Sequence, residues 1–364
     1  MKKTILFSIS SLGLGHATRT LPLIREYLPD HNIHVLCTGN ALSYLKDELR
    51  GTSVYFHDFR DYPPLERGSG LMFYIYLVID SLYTLIVINQ EHRFVTNLAE
   101  GIQPEFIISD GRYGSYVKGI PSFIISHQIS FVMPRGFGIF QRLGDYVNYK
   151  TFKRFNAVLV PDYGDTAHNL AGKMSHHPML QKLEHYYVGI LSSLKKEDVE
   201  EDIHMLFSTG GFLSPHKPSF VDSLIEQAKI IPGKKIFILG KVGGDDNRSL
   251  GEYDIEILSS VAGHERQTIF NRAKMVVSRS GYTTIMDLVE LEKPGVLIPT
   301  PGQTEQEYLA EYLADNENFL VSPHETVGET YTGKTLYAPF LPPWKTARSV
   351  EIVREIIGTH TDNF

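Results

Sequence analysis

Polar residues follow two apolar strands in the stretch from Met275 to Leu313. The stretch reads MVVSRSGYTTIMDLVELEKPGVLIPTPGQTEQEYLAEYL. The first predicted strand runs into Arg279, Ser280 and Gly281, and a predicted helix follows directly. Backbone N–H groups at a helix start, the positive end of the helix dipole and a guanidinium all favour an anion. The motif therefore predicts a site for a phosphate-bearing ligand, and we expect a nucleotide.

Three side chains beyond this motif are suited to sugar hydroxyls. Asp287 lies on the predicted helix after Gly281, where it could hold hydroxyls or remain a solvated charge. Gln303 and Gln306 follow the second predicted strand. An amide side chain both donates and accepts hydrogen bonds, which matches paired sugar hydroxyls. We expect these residues to contact a sugar that is attached to the nucleotide.

A second glycine loop, Ser208-Thr209-Gly210-Gly211, follows the predicted strand Ile203 to Phe207. Its backbone N–H groups and its two hydroxyls can donate hydrogen bonds to a diphosphate. The loop lacks the Gly-Lys-Ser/Thr ending of phosphate loops in nucleotide hydrolases. We assign Thr209, Gly210 and Gly211 to the same nucleotide site, with a plain strand-to-helix turn as the alternative.

The first predicted strand, Thr4 to Ile9, leads into a loop that contains Gly13, Gly15 and His16. Glycine there permits a tight turn or a close approach to a ligand, so Gly15 is a candidate ligand contact. His16 is a candidate base or oxyanion donor, with capping of the next helix as the alternative. Arg19 is interpreted as a solvated helix residue. A dinucleotide fingerprint would need a third glycine, which the loop lacks.

Two further candidates follow strands of the N-terminal half. Asp110 comes directly after the predicted strand Phe106 to Ser109, and His127 follows the strand Ser122 to Ser126. Both positions are carboxyl ends of strands, where ligands bind in open parallel sheets. Asp110 is a candidate general base, with loop capping as the alternative. His127 is a candidate contact to the acceptor, which is the substrate that receives the transferred group.

Strands alternate with helices in both halves of the chain, which predicts parallel βαβ units. The predicted fold class is α/β, with two Rossmann-like domains that face a cleft. We expect an N-terminal domain at 1–190 and a C-terminal domain at 191–345. A final helix and tail at 346–364 is expected to pack back on the N-terminal domain. The polar stretch Leu191 to Asp202 is the predicted connector.

The segment Leu71 to Ile88 is long and apolar, but Asp80 and Ser81 interrupt it. A membrane-spanning helix tolerates a central charge poorly. We therefore predict a buried or partly exposed helix, with a separate helix at Glu91 to Ala99. A surface that docks on a membrane or on a lipid-linked acceptor is the alternative.

The composition is that of a globular protein. The 364 residues are 42% hydrophobic and 21% charged, and the formal net charge is −7. No block of lysine and arginine stands out, so nucleic acid is not an expected partner. The single cysteine excludes an intrachain disulfide and favours the cytoplasm. No cluster of histidine and cysteine has the spacing of a metal site, so no metal is expected.

Taken together, these motifs resemble a GT-B glycosyltransferase, nearest to family 28. This group includes the bacterial UDP-N-acetylglucosamine transferase of lipid-linked peptidoglycan precursor synthesis. The matching segments are Gly13 to Arg19, Gly119 to Gln128 (GIPSFIISHQ), Thr209-Gly210-Gly211, Arg279-Ser280-Gly281 with Thr284 and Asp287, and Gln306. The chain departs from the family where Asp287 replaces the usual glutamate, and where Phe212 and Leu213 follow the Thr-Gly-Gly loop.

The resemblance implies an inverting, metal-independent hexosyl transfer from a UDP-sugar donor, without a cofactor. The C-terminal half would hold the donor, and His16 or Asp110 would deprotonate an acceptor hydroxyl on the N-terminal side. The acceptor could be a lipid, a glycan or a small molecule. The protein is expected in the cytoplasm, with peripheral contact at the inner face of the membrane as a further expectation. The alternatives are a UDP-sugar hydrolase on the same scaffold and a catalytically silent sugar- or lipid-binding module.

Overall fold

The computed structural model describes residues 2–63, 71–130, 138–209, 217–240, 247–314, 319–322 and 340–361. The chain divides into two compact units. The first unit combines Met1–Ser193 with Trp344–Phe364, and the second unit spans Leu194–Pro343. The chain therefore leaves the first unit once and returns to it at its end.

The first unit is built on a parallel sheet. Its described strands are β1 (Lys3–Ile9), β2 (His31–Cys37), β3 (Val54–Asp58), β4 (Phe106–Asp110), β5 (Ser122–Ile125), β6 (Ala157–Val160) and β7 (His185–Tyr187). Its described α-helices are α1 (Gly15–Tyr27), α2 (Gly39–Glu48), α3 (Leu71–Ile102), α4 (Gly138–Phe152) and the C-terminal helix α9 (Thr346–Thr361). The strand order is β3-β2-β1-β4-β5-β6-β7. The order reverses between β1 and β4, and this switch point is where open sheets bind ligands.

Helices cover both faces of this sheet. Successive strand side chains point to opposite faces, so Phe7 and Leu6 of β1 enter different cores. On the face of Phe7, the sheet packs against α1, α2 and α9. On the face of Leu6, it packs against α3 through Val95 and against α4 through Phe152. The apolar strands are buried on both sides, as a parallel sheet requires.

The C-terminal helix α9 completes the first of these cores. Its buried side chains pack in the same cluster as α1, and they are Val350, Val353, Ile356 and Ile357. The indole Nε1 of Trp344 donates to the carbonyl of Val188 at 3.2 Å, which fixes the segment that leads into the helix. The prediction that the final helix packs back on the N-terminal domain is confirmed.

The second unit repeats the plan with its own sheet. Its described strands are β8 (Met205–Ser208), β9 (Lys235–Ile238), β10 (Arg248–Leu250), β11 (Ile255–Leu258), β12 (Val276–Arg279), β13 (Gly295–Ile298) and β14 (Phe319–Val321). Its described α-helices are α5 (Lys217–Ala228), α6 (Gly263–Arg272), α7 (Tyr282–Leu291) and α8 (Thr304–Leu313). The strand order is β10-β11-β9-β8-β12-β13-β14, and only the edge pair β10–β11 is antiparallel among these strands. The predicted α/β class is confirmed in both units.

The predicted helices at Leu71 to Ile88 and Glu91 to Ala99 form one helix, α3. The prediction of two separate helices was therefore wrong. Glu91 is fully buried, and its carboxylate accepts hydrogen bonds from Tyr62 Oη at 2.7 Å and Ser115 Oγ at 2.6 Å. The sequence also gave no prediction for α4, β7, β10, β11 or β14. None of the described helices combines the length and apolarity that a bilayer-spanning segment needs.

Candidate functional site

The switch point of the first sheet brings His16 and Asp110 together. Ile9 at the end of β1 pairs with Asp110 at the end of β4. Helix α1 begins at Gly15, just after β1, so its first turn lies over the end of β4. Residues three and four apart share one helix face, which places His16, Arg19 and Thr20 together above Asp110. Parallel pairing of two strands distant in sequence thus assembles the cluster.

The carboxylate of Asp110 is fully buried and accepts four side-chain donors. Arg19 donates through Nε to Oδ2 at 2.7 Å and through Nη2 to Oδ1. Thr20 Oγ1 donates to Oδ2 at 2.7 Å, and His16 Nδ1 lies 2.7 Å from Oδ1. Burial raises the pKa of Asp110, but the charges and hydrogen bonds of Arg19 and His16 outweigh burial and hold the pKa far below its ordinary value. Asp110 is therefore an anion in the folded protein.

The Asp110 carboxylate orients the imidazole of His16. Nδ1 lies 2.7 Å from Oδ1 of Asp110 and 3.0 Å from Nη2 of Arg19, and these two contacts require opposite roles of Nδ1. We assign the proton to Nδ1 on the shorter contact, which is made to an anion, and Nε2 is then left with its lone pair. Nε2 has no hydrogen-bond partner among the residues that the structure describes, and 23% of the side chain is exposed. Gly111 closes the other side of the ring, because a Cβ there would lie 2.7 Å from His16 Cε1. The ring is thus held in place while one basic nitrogen faces outward.

Arg19 is buried, so its interpretation as a solvated residue was wrong. Asp110 supplies its counterion, and the partner lies 91 residues away in sequence, beyond the reach of local patterns. The Nη1 atom of Arg19 also lies 3.0 Å from Nδ1 of His127. His127 is buried beside this guanidinium and belongs to the same cluster. The spacing of Arg19 and His16 on one helix face was the signal that could have identified it.

Asp61 is a site residue that the sequence did not suggest. Its Oδ2 atom accepts hydrogen bonds from Ser10 Oγ at 3.0 Å and from the backbone N–H of Ser11. These contacts hold the first residues of the glycine loop that leads into α1. The loop also needs a glycine at Gly13, where φ is +86°. A carboxylate just after β3 thus positions the loop that carries His16.

In the second unit, Arg279 ends β12 and its guanidinium is half-buried. Its Nη1 donates to the carbonyl of Pro299 at 3.0 Å, and its Cζ lies 3.5 Å from the ring centroid of Phe220. Burial lowers the pKa of Arg279 to about 10, which leaves the group cationic at neutral pH. Phe220 was not identified from the sequence, and it gives the guanidinium a flat support.

The turn between Arg279 and α7 is tied to the first turn of α8. Ser280 is buried, and its Oγ donates to the backbone carbonyl of Gln306 at 2.8 Å. The side-chain Oε1 of Gln306 accepts from the N–H of Thr300 at 2.9 Å. Gly281 is the N-cap of α7, with no side-chain cap and with open space where a Cβ would lie. The first turn of α7 is therefore accessible to a ligand.

Asp287 and Gln303 occupy different surroundings. Asp287 is buried on α7, and Arg266 Nη2 donates to its Oδ2 at 2.6 Å, so the carboxylate is not a solvated charge. Gln303 is the N-cap residue of α8 and is partly exposed. Their contact with a sugar stays a prediction. Arg266, on α6, is a further residue beside the site that the sequence did not suggest.

The glycine loop after β8 is only partly described. Thr209 is buried, and both its backbone N–H and its Oγ1 lie within hydrogen-bond distance of the Ile238 carbonyl, at 3.1 and 3.2 Å. This hydroxyl is engaged with the end of β9, which fixes the start of the loop. Gly210 and Gly211 lie outside the described residues.

Comparison with known proteins matches part of the second unit to a domain family, and nearly the whole chain to solved structures of glycosyltransferases. Residues 244–330 match the glycosyltransferase family 28 C-terminal domain. The calicheamicin glycosyltransferase CalG4 superposes with a TM-score of 0.59 at 14% identity, over 98% of this chain and 94% of that chain. MurG of Acinetobacter baumannii superposes with a TM-score of 0.55 at 13% identity, over 97% and 99%. No curated protein matches the chain.

The chain has the GT-B fold, and part of its second unit matches the family 28 C-terminal domain. This confirms the resemblance that the sequence motifs indicated. A third neighbour, Phytolacca americana UGT2, was solved with UDP-2-fluoro-glucose and pterostilbene, and superposes with a TM-score of 0.58 at 12% identity over 98% of this chain and 94% of that chain. The region that matches the family 28 model contains Arg279, Gly281, Asp287 and both glutamines. It therefore coincides with the predicted nucleotide site.

Proposed function

We propose that this protein is a glycosyltransferase that moves a sugar from a UDP-sugar to an acceptor hydroxyl. The family-28 match and the GT-B fold support sugar transfer from a nucleotide-sugar donor. The observation that carries the proposal is the buried Asp110 carboxylate, which orients His16 as a base. The second unit supplies the donor site, at Arg279 and the open first turn of α7.

In the proposed reaction, the acceptor oxygen attacks the anomeric carbon of the donor sugar. The hydroxyl proton moves to Nε2 of His16, and Asp110 stabilises the imidazolium that forms. The bond from the anomeric carbon to the diphosphate breaks, and its electron pair leaves with UDP. A single displacement from the opposite side inverts the anomeric configuration. Asp110 itself does not take the proton, because its pKa lies far below the ordinary value.

Negative charge develops on the diphosphate as this bond breaks. Arg279, held in place by Phe220 and Pro299, and the N–H groups at the start of α7 are fixed donors for that charge. Preorganised donors of this kind often supply the largest acceleration. We therefore propose that the transfer needs no metal ion, and that Thr209, Gly210 and Gly211 contact the diphosphate.

The first unit also presents an apolar surface for an acceptor at a membrane. Among the described side chains, the exposed large apolar ones are Ile79, Leu82, Tyr83, Leu85 and Ile86 of α3 and Leu143, Tyr146 and Val147 of α4. Both helices pack on the same face of the sheet. Arg60 Nη1 donates to Tyr83 Oη at 3.1 Å, and Lys150 Nζ lies 5.4 Å from the Tyr146 ring, so cations flank the apolar side chains.

We propose that this surface binds the anionic cytoplasmic face of a membrane. Apolar side chains that enter the lipid boundary and cations that face lipid headgroups give reversible binding. Segment 60–62 links the surface to the site, because Arg60 contacts Tyr83 while Asp61 holds the loop before His16. An acceptor in or on the membrane is therefore favoured over a freely soluble one.

The proposed activity is tested first by a thermal-shift screen of nucleotides and UDP-sugars. A sugar donor that raises the melting temperature is then assayed for UDP release with lipid, glycan and small-molecule acceptors. His16→Ala should lower turnover about 10²- to 10⁴-fold, the usual contribution of a general base, with UDP affinity retained. The partly exposed residue His168 provides the control His168→Ala. Full-rate UDP release without acceptor would instead indicate a hydrolase.

Membrane contact is tested by flotation with anionic vesicles. Leu82→Ser combined with Leu143→Ser should reduce the bound fraction, because both side chains are exposed and their loss leaves the core intact. Ile230→Ser removes an apolar side chain of the second unit that is even more exposed, and it serves as the control. Equal binding of all three proteins would refute this surface without affecting the assignment of His16.

A further inference from the structure

A cavity of about 560 Å³ lies on the same face of the first sheet as α3 and α4. Its polar lining residues are His92, Thr96 and Glu100 of α3, Tyr116 and Lys118 of the loop between β4 and β5, and Arg154 just after α4. This volume is within the range of small-molecule sites. Nothing in the proposed transfer reaction uses this cavity, which we call the α3–α4 groove.

The α3–α4 groove lies away from His16. The loop that contains Tyr116 and Lys118 runs from the carboxyl end of β4 back to the amino end of β5. Helix α3 likewise runs towards the amino end of β4, and the groove is lined by its last three turns. In a parallel sheet these amino ends lie at the edge opposite the carboxyl ends, where Asp110 and His16 are found. The groove is thus a separate site.

The charges in the groove favour an anion. Lys118 and Arg154 are exposed, and neither forms an ion pair with another described residue. Glu100 is the one carboxylate among the lining residues, so two basic side chains line the groove with a single acid. A lysine and an arginine on one concave surface, neither of them in an ion pair, are suited to a phosphate group.

Aromatic stacking holds part of this arrangement in place. The ring of His92 stacks on Tyr116 with centroids 4.2 Å apart, and the Arg154 guanidinium lies 5.5 Å from the same Tyr116 ring. The Nδ1 atom of His92 is buried and has no hydrogen-bond partner among the described residues. A buried polar atom without a partner is costly, and here it belongs to a residue that lines the groove.

We propose that the α3–α4 groove binds a phosphate group at a site distinct from the nucleotide site. The phosphate is carried either by a small soluble molecule or by a lipid headgroup. Lys118 and Arg154 pair with its charge, and Tyr116 positions Arg154 and His92 beside it. The groove lies on the face whose helices also expose the apolar side chains of α3 and α4, so both sources have access to it.

The test uses the full chain with two probes. Inorganic phosphate is titrated and followed by ³¹P NMR, and vesicles of phosphatidylcholine with phosphatidic acid are tested by flotation. Lys118→Gln combined with Arg154→Gln should weaken binding of at least one probe about tenfold or more, because two charge-assisted contacts are lost. Lys153→Gln combined with Lys182→Gln removes the same charge from exposed positions that do not line the groove.

The two probes identify the source of the phosphate. Loss of phosphate binding in the groove variant alone supports a soluble ligand, and loss of vesicle binding alone supports a lipid headgroup. Equal weakening in both double variants would show a diffuse surface charge and overturn the proposal. The same conclusion follows if the unmodified protein binds neither probe. None of these outcomes depends on sugar transfer, so the proposed enzymatic activity is tested separately.

Discussion

At the scale of single residues, the cluster around Asp110 shows how one buried anion can set the role of its neighbours. Asp110 has no exposed surface and is matched by the buried Arg19, so it remains ionised and acts by orientation. His16 is the one member of the cluster with an exposed fraction of about a quarter and a basic nitrogen that faces outward. The surroundings of His16 and Asp110 thus distinguish the two candidates for the base and favour His16.

Asp110→Asn is predicted to impair catalysis strongly while UDP binding persists. An amide can present its N–H to His16 and favour the wrong tautomer, and a loss of about 10²- to 10⁴-fold in turnover is expected. The buried charge of Arg19 would also lose its partner, so the melting temperature should fall. UDP-release kinetics and thermal unfolding measure the two effects.

Thr20→Val is the matched control for this substitution, because it removes one hydrogen bond to Asp110 and leaves the contact with His16. Its turnover should stay within a few-fold of the unmodified protein. If Asp110→Asn retained full turnover, orientation of His16 by the carboxylate would be excluded.

Arg279→Ala is predicted to weaken UDP binding by about 1.5–3 kcal/mol, the scale of a hydrogen bond to a charged group. Titration calorimetry measures the change directly. Arg248→Ala removes an exposed arginine from the edge strand of the same unit and should leave the affinity unchanged. An unchanged affinity for Arg279→Ala would remove Arg279 from the donor site.

At the scale of elements, local patterns predicted the strands that matter and missed contacts made between distant segments. The run Thr4 to Ile9 forms β1, and Phe106 to Ser109 forms most of β4, because buried parallel strands are apolar throughout. Arg19 was misinterpreted because its partner Asp110 lies far away in sequence, so its burial could not be read from nearby residues.

The residues around the predicted nucleotide site also divide into those with a local sequence signature and those that other elements bring to the site. Arg279 and Gly281 could be predicted, because a strand that ends in Arg-Ser-Gly before a helix has a local signature. Phe220 and Arg266 could not, since they reach the site from α5 and α6. Asp61 could not be predicted either, because nothing in its neighbouring sequence indicates a role. Strand β2 pairs with both β1 and β3, and this pairing brings the residue after β3 to the loop after β1.

The return of the chain into the first unit depends on Gly189. Its φ is +81°, and a Cβ there would lie 2.2 Å from Trp344 Nε1. Gly189→Ala should therefore destabilise the protein by more than about 1 kcal/mol in chemical denaturation. Gly358→Ala, inside α9 with open space around it, should be neutral or stabilising by up to about 1 kcal/mol. Equal effects of the two substitutions would refute the role of the Trp344 contact.

At the scale of the whole molecule, the C-terminal helix α9 is part of the core of the first unit. The chain passes through the second unit before α9 completes the first core. A sequence pattern can show that a final helix is amphipathic, but it cannot select the sheet that buries its apolar face. The structure makes that selection by burying the apolar face of α9 against the first sheet.

This arrangement predicts that scanning calorimetry can separate two effects on thermal unfolding. One is the effect of a substitution in the first unit, and the other is the effect of a ligand bound to the second unit. Ile357 of α9 is 2% exposed, so Ile357→Ala should destabilise the first unit by about 2–5 kcal/mol. UDP at 100 times its dissociation constant should stabilise the second unit by about 2.7 kcal/mol. We expect Ile357→Ala to lower one unfolding transition and UDP to raise the other. If UDP raised the transition that Ile357→Ala lowers, the nucleotide site would belong to the first unit, and the assignment of Arg279 to donor binding would be wrong.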